Sequence, residues 1–458
     1  RVPATPAVAV VVPPRPAEGF TVYGLPSGER LGQVSVSIMG RPVVAGDLVL
    51  ARVADAVVAY TFNGAERWRV PSFGYNLVGA VQDAGRVALS LGGFGVARRN
   101  GALVVADAAT GAVMFAHREA HAFGAPSLVG DDVFLPWDGQ NLSVFDARDG
   151  GERARLHGRS DLIGFARREG PSLWYGARAL LRWSGRAAEA RTAERLTFNV
   201  EGLPGAPPFM SDPYTTLNAG LDARERVRLA WRPDATSEAV GFAGNVVYAV
   251  FHRDVFGLDP SSGAPRWAYV HRADIAGVES ARDGIALVDE DGQFVFVDAA
   301  TGRVRWRFDL HASAAQAVLQ VPYDFSPTGT VEEHAHDLVE GLLLAAGGTD
   351  TRLMPAQLFA VRSLIALDSA EATHALVNIV THRRFPEELR TAAAEAITQR
   401  RNGTSAMLEA LEANYDYVNE VVEPPVGLLA RGLAAHHDRA AVQAFAASTW
   451  SKGMLKAK

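Results

Sequence analysis

The chain of 458 residues contains no cysteine, which excludes disulfides, thiolate metal sites and cysteine nucleophiles together. It is also almost without lysine. Lys452, Lys456 and Lys458, all in the last seven residues, are the only ones, and arginine supplies the rest of the basic set. That bias reads as a high-GC bacterial coding sequence rather than as an arginine-based function. Net basic charge is missing too. With 45 Lys+Arg against 51 Asp+Glu, the formal charge is −6 and the pI about 6.1, so no field draws in nucleic acid or anionic lipid. Long apolar runs are absent: Ala7–Val12 is far too short to cross a bilayer, and no other stretch comes closer.

What is present is 48 % hydrophobic and 21 % charged residues, the composition of a globular protein with ample core. The stretch Gly284–Phe308 organises the reading. Ile285–Val288 is an apolar run, Asp291-Gly292 a tight turn, and Gln293–Val297 alternates. Asp298 to Gly302 is then a second turn leading into Arg303–Phe308. Asp298 can accept from backbone N–H groups just downstream, and Gly302 can take the positive φ that other residues resist. Trp306, four residues past the glycine, is large enough to anchor one sheet on its neighbour.

This unit recurs. Asp259, Gly263 and Trp267 keep the same offsets, and Asp107 and Gly111 keep the turn with Phe115 in the aromatic position. Gly64 and Trp68 follow Tyr60 in place of Asp, Asp146 and Gly150 keep only the turn, and weaker copies stand at Ser27-Gly28 and Ser184-Gly185. The glycines at 28, 64, 111, 150, 185, 263 and 302 are separated by 36, 47, 39, 35, 78 and 39 residues. Since 78 is twice 39, one copy is expected inside that gap, at Leu221–Ala223 with Trp231 following. Eight turns near a period of 39 predict a β-propeller of about eight four-stranded blades; a chance series of hairpins in a β-sandwich is the alternative.

Four segments follow: a Pro/Ala-rich stretch 1–18, the propeller 19–325, an all-α domain 330–450 and a tail 451–458. Residues 1–18 are expected to be an extended tether, the remnant of a signal region or an early strand, and a leader is expected ahead of Arg1. The prolines at 204, 207, 208 and 213 predict a long loop within 186–240. Helices are expected over Val331–Ala346 (opened by the capping box Thr330 to Glu333), from Pro355, over Ala370–His382 behind Ser369, from Pro386 to about Arg401, and over Ser405–Tyr415. Two more are expected from Pro425 and over Arg439–Thr449. The helix from Pro355 should bury Leu358, Val361 and Ile365. Their pairing suggests HEAT-like repeats, a plain bundle being the alternative.

Catalytic constellations are hard to find. His334, His336 and Asp337 with Glu332 and Glu333 would point to different faces of a helix, and His117 to His121 has its glutamate in the wrong place for a zincin. His436-His437-Asp438 suits a helix corner, and Asn402-Gly403-Thr404 is a glycosylation sequon without meaning in a bacterium. No catalytic, cofactor or metal residues are assigned. Propeller geometry instead gathers the turns between second and third strands on one face. They should carry Asp55, Arg98, Arg99, Trp137, Asp138, Tyr175, Arg178, Arg253, Asp254, Glu290 and Asp291, a ring suited to a partner protein unless these are ordinary hydrophilic turns.

The unit Asp-x-x-[Thr/Ser/Asp]-Gly-x-x-x-Trp behind a strand such as Phe294–Val297 resembles the PQQ-like propeller repeat, over roughly 300 of 458 residues. Quinoprotein alcohol dehydrogenases, one branch, bind pyrroloquinoline quinone and calcium against a vicinal disulfide, which this chain cannot form. The other branch resembles the outer-membrane assembly lipoprotein BamB, a cofactor-free propeller that binds partner proteins in the periplasm; it lacks the extra helices found here. The resemblance implies a non-enzymatic scaffold of the bacterial envelope. It would use no cofactor, bind envelope proteins through the propeller face and the helical domain, and reach the outer membrane only through a lipid upstream of Arg1. A glycan- or peptidoglycan-binding sensor and a quinoprotein dehydrogenase are the alternatives.

Overall fold

The computed structural model describes residues 6–14, 18–93, 100–138, 141–157, 165–169, 172–176, 180–184, 194–196, 240–244, 246–259, 264–327, 336–400, 403–413, 415–416 and 421–422. They fall into two compact units. The first takes its described residues from 6–259 and 271–327, the second from 264–270 and from 336 onward. The eighth repeat expected near Trp231, the long loop and the helices from Pro425 lie outside the described residues.

Within the first unit the sequence folds into antiparallel sheets, six of them four-stranded. A further sheet contributes Val240–Ala243, Val246–Phe251 and Asp254–Leu258. The second strands are apolar on both sides because each sheet is covered twice. Leu48, Leu50, Val57 and Ala59 pack against Val87, Leu89, Leu91, Ala102 and Val104 of the following sheet. The alternate residues Val49, Ala51, Val58 and Tyr60 pack against Val8, Val10, Phe20 and Val22 of the preceding one. A strand with period 2 and two buried faces must read as an unbroken apolar run, and Leu48–Ala51 does.

First strands of successive sheets lie side by side, in the order Val240–Ala243, Ile275–Ser280, Gln316–Gln320, Met39–Ala45, Asn76–Asp83, Ser127–Val129, Phe165–Glu169. This is the order of propeller blades. Gly277 and Gly79 sit at bulges in these strands, where an added Cβ would stand 2.1 Å from the Ala317 carbonyl oxygen and 2.6 Å from the Ala125 Cβ. One sheet mixes both ends of the unit: Gln316–Gln320 pairs with Val8–Val12, followed by Phe20–Gly24 and Arg30–Val34. Within the segment 1–18, Val8–Val12 is thus the early strand and not the extended tether. Its Ala9 and Val10 are fully buried, facing different neighbouring sheets.

The repeated turn explains the repeated residues. Asp107 Oδ1 accepts from the Ala109 and Thr110 N–H groups (3.1 and 2.8 Å) and from the Thr110 hydroxyl (2.8 Å), while the Gly111 N–H donates to the Asp107 carbonyl (2.9 Å). Asp298 holds Thr301 and Gly302 the same way. The glycine is required twice over. Gly111 has φ +73°, and a Cβ there would stand 2.7 Å from the Trp68 ring. Trp68 belongs to the preceding sheet and donates its indole N–H to the Ala108 carbonyl at 2.8 Å. Phe115 stands likewise over Gly150, and Phe308 over Gly28. Each aromatic therefore lies on the glycine turn of the next sheet. In the last repeat Phe308 makes that contact, backed by Trp306 at 4.6 Å between ring centroids.

The second unit comprises the strand Pro265–Val270 and helices α1 (Leu338–Ala346), α2 (Met354–Ala366), α3 (Ala370–Thr381), α4 (Glu387–Ile397) and α5 (Gly403–Ala413), with a short pairing of Tyr415–Asp416 and Val421–Val422. α1 opens at Leu338, not Val331: Asp337 is its N-cap and accepts from the Glu340 N–H at 2.8 Å. The capping box at 330–333 falls outside the described residues. α2 carries Pro355 in its first turn as expected, but buries Ala356, Phe359, Ala360, Val361 and Leu364, while Leu358 and Ile365 are only half-buried. Ser369 caps α3 (3.1 Å to the Ala372 N–H). α4 stops at Ile397, and Gly403 begins α5 instead of ending α4, lying 2.1 Å (as a built Cβ) from the Ile397 carbonyl oxygen. α5 ends at Ala413, short of Tyr415, which is in the pairing just named.

The last turn of α2 holds no basic residue; Arg400, from the α4–α5 connection, supplies the donors. Its guanidinium donates to the carbonyls of Leu364 (2.9 Å), Ile365 (2.8 Å) and Leu367 (2.6 Å), and to the Thr373 hydroxyl of α3 (2.8 Å).

Gly111→Ala is expected to lower stability by about 3 kcal/mol, combining left-handed strain with overlap on Trp68. Gly85→Ala, at φ +75° with nothing within 4 Å, should cost only about 1 kcal/mol in the same urea unfolding series. Arg400→Met should cost about 2–3 kcal/mol, by leaving the carbonyls that end α2 without donors; urea unfolding again reads it.

Candidate functional site

Antiparallel sheets place the turn between second and third strands at the same end as the connection from the fourth strand to the next sheet. Hydrogen bonds tie the two together. The Ser72 N–H donates to the Asp55 carbonyl (2.8 Å), the His271 N–H to Arg253 (2.8 Å), the Leu310 N–H to Gly292 (2.9 Å) and the Asp138 N–H to Ala122 (2.9 Å). Others run onward, from the Ile275 N–H to the His252 carbonyl at 3.0 Å and from Glu290 to Asp274 at 2.9 Å.

Backbone strain concentrates at this end. Of the non-glycine residues with positive φ among the described residues, Ala54 (52°), Phe73 (55°), Asp138 (47°), His252 (55°) and His311 (54°) all lie in these turns and connections, and only Ala84 (48°) lies elsewhere. Bulky side chains take this conformation at a cost of order 1–3 kcal/mol each.

Histidine–aspartate pairs recur across the face. His121 Nδ1 is 2.6 Å from Asp138 Oδ2, His271 Nε2 2.8 Å from Asp289 Oδ2, His252 Nδ1 3.4 Å from Asp274 Oδ2 and His311 Nδ1 3.5 Å from Asp309 Oδ1. Arg253 joins Asp274 at 2.9 Å, and Arg272 reaches Asp289 at 3.4 Å and Asp291 at 3.9 Å. Asp289 is wholly buried. Burial alone would raise its carboxyl, but the His271 ring and the Gln293 N–H outweigh burial and hold it below the usual carboxylate range. Asp254, 1 % exposed, has the opposite fate: Oδ2 has no hydrogen-bond partner, and burial pushes the carboxyl up to about 7, Arg253 opposing and Asp274 adding to the rise.

The residues expected on this face are placed unequally. Glu290 and Asp291 are exposed at its surface, and Arg253 is half-buried in its ion pair. Trp137 is already engaged: its indole N–H donates to Ser143 Oγ at 2.8 Å, the His121 ring lies 4.4 Å away and the Arg155 guanidinium 5.1 Å above it. Asp138 is half-buried, bonded to His121 and to the Ala122 N–H. Asp254 lies beneath the surface and supports the turn without presenting a contact. Asp55 forms the Ser72 latch. Tyr175 is on the strand Ser172–Gly176, while Arg98, Arg99 and Arg178 lie outside the described residues.

Sequence reasoning passed over the connections. Phe73, Arg272 and His311 each stand five residues past Trp68, Trp267 and Trp306, and Ser72, His271 and Leu310, which make the latch bonds, stand four past. Those fixed offsets were the available signal. Elsewhere, His117 Nε2 meets the Gly150 carbonyl at 2.8 Å and His336 pairs with Glu340 at 3.1 Å, so each imidazole serves a local contact. Among the described residues no group of three or more His, Asp or Glu side chains is arranged to hold a metal ion.

A family model described as "Outer membrane protein assembly factor BamB" matches residues 19–157, 55–194 and 219–330. No curated protein matches the chain. Three solved structures resemble it. BamB from Moraxella catarrhalis is 14 % identical, over 67 % of this chain and 88 % of that one, at a TM-score of 0.39. The computationally designed Ika8 protein is 15 % identical over 69 % and 91 %, at 0.41. Apo AztD from Citrobacter koseri is 10 % identical over 71 % and 100 %, at 0.39.

Because the folded pKa of Asp254 lies above its unfolded value, its contribution to stability is complete below about pH 4 and is lost as pH rises through about 7. Asp254→Asn should remove that dependence. Relative to the wild type, its thermal midpoint should climb between pH 5 and pH 8.5, and scanning calorimetry across that range checks it.

Proposed function

Since the chain belongs to the family of the outer membrane protein assembly factor BamB, we propose that it is a non-catalytic docking scaffold of the bacterial envelope, periplasmic and tethered to the outer membrane by a lipid. The turn face described above is where it binds other envelope proteins. The observation that carries this reading is the concentration of strained, bulky and charged positions on that one face: Phe73, Asp138, His252 and His311 hold costly backbone conformations there. Docking needs such presentation, whereas acyl or phosphoryl transfer needs a nucleophile, a base and an oxyanion site converging on one atom. The rings and guanidinium groups near the rim, with Tyr75 and Arg272, are the residue types that anchor protein partners.

The helical unit extends the same role. α1 packs with α2 and α3 with α4, while α5 packs against α3. Paired helices of this length support a HEAT-like stack, and we assign it a second docking surface.

Two variants test the face, with the urea midpoint as the control for the first because Phe73 also packs on the core: Phe73→Ala, and Arg272→Glu combined with Asp291→Arg. Cross-linking and affinity capture from a bacterial envelope extract should recover a specific protein with the wild type. Each variant should recover it at least about tenfold less. Capture that is indifferent to both variants overturns the reading. Co-sedimentation of the purified protein with sacculi, lost in the same variants, would instead favour a peptidoglycan sensor.

A further inference from the structure

Three of the outermost strands carry charged residues along their open edge, whereas Val113–Glu119 opens on apolar ones. After Gly64 the edge reads Glu66, Arg67, Arg69; after Gly150 it reads Glu152, Arg153, Arg155; after Gly302 it carries Arg303, Arg305 and Arg307. Five of these arginines are engaged in ion pairs. Arg69 meets Glu66 (2.7 Å), Arg155 meets Glu152 (2.6 Å), Arg67 meets Asp47 (2.7 Å), Arg153 meets Asp132 (2.6 Å) and Arg305 meets Asp298. Charged side chains along an open edge are the usual protection against pairing with another chain. After Gly111 the corresponding residues are Val113, Met114 and Ala116.

The strand Val113–Glu119 ends its sheet, pairing only with Gly101–Asp107, so its other edge keeps free backbone donors and acceptors. Val113 and Met114 are 47 % and 40 % exposed, among the most exposed large apolar residues described. Phe115 and His117 turn toward Gly150 of the next sheet and hold the strand in place.

A second observation lies at the far end of the strand. Arg118 rests over the rings of Phe73 (5.0 Å) and Tyr75 (6.0 Å). Unlike Arg69 and Arg155, it has no carboxylate partner among the described residues. A cation fixed on an aromatic platform, on a strand that opens on exposed Val113 and Met114, complements a ligand that is apolar along its length and acidic at one end.

We infer that Val113–Glu119 is a docking edge for an extended strand of another protein. That strand adds to the sheet through backbone hydrogen bonds, lays an apolar side chain on Val113 and Met114, and brings a carboxylate to Arg118. The surface is separate from the turn face, which it reaches only at Phe73 and Tyr75.

The probe is a fluorescein-labelled synthetic peptide of alternating Val and Thr with one Glu near an end, titrated against the full chain by fluorescence anisotropy. The wild type should bind it saturably. Val113→Glu combined with Met114→Arg rewrites this edge in the pattern of the Glu152-Arg153 edge; it should abolish binding while leaving the urea midpoint unchanged. Arg118→Gln should weaken the Glu peptide by about threefold and leave its Gln counterpart unaffected. A peptide N-methylated at alternate amides should not bind, because the backbone bonds are blocked. Absence of saturable binding to the wild type, or equal binding by the double variant or of the N-methylated peptide, overturns the inference. So does wild-type self-association in sedimentation velocity that the double variant removes, since the edge would then be filled by a second copy.

Discussion

The interaction on which this molecule most depends is an aromatic ring of one sheet lying on the glycine of the next. Trp68 on Gly111, Phe115 on Gly150 and Phe308 on Gly28 are one contact made three times. It fixes the distance between neighbouring sheets at the end where Asp107 and Asp298 organise their turns. It also explains why Asp, Gly and an aromatic travel together in the sequence: the first shapes a turn, the second clears its surface, and the third fills the space on the turn beyond. At the opposite end a ring also meets a glycine, Phe123 against Gly101, and backbone latches and His–Asp pairs tie the turns to the connections as well. The two ends differ in that this one also carries bulky residues in left-handed conformations.

That division was partly legible in the sequence. The turns, their period and the four-strand rhythm could be read because each rests on local chemistry: an Asx-type turn, a positive φ, an alternating strand. The partner of each aromatic could not be read, because it lies one repeat away. The early strand was one reading of residues 1–18, but its partner was hidden for the same reason: nothing near Val8–Val12 in sequence says that residues 316–320 will pair with it. Helix starts suffered from rival caps. Thr330 to Glu333 has the form of a capping box, yet Asp337 caps α1, and a single aspartate closer to the apolar run decides the matter.

The residues expected on the face are placed unequally, Glu290 and Asp291 at its surface, Trp137 and Asp138 in local contacts and Asp254 beneath it. The turns between second and third strands were foreseeable from topology, whereas the connections that latch onto them share no residue type and are marked only by their fixed offset from the aromatic. Ser72, His271 and Leu310 do the same work through their backbone N–H groups, which no side-chain pattern records. Asp254 and Asp289 show the limit from another side. Two aspartates at neighbouring turns look alike in sequence, yet one is held ionised by an imidazole and a backbone N–H while the other is buried without a partner for Oδ2.

The sheet that joins residues 316–320 to residues 8–12 has a consequence for synthesis. The N-terminal strand leaves the ribosome first and acquires its inner neighbour only about 300 residues later, on the order of tens of seconds at ordinary elongation rates. Through that interval an apolar five-residue strand has no hydrogen-bonding neighbour on one side. A chain cut short before residues 316–320 therefore keeps one edge of that strand unpaired, an edge open to pairing with another chain.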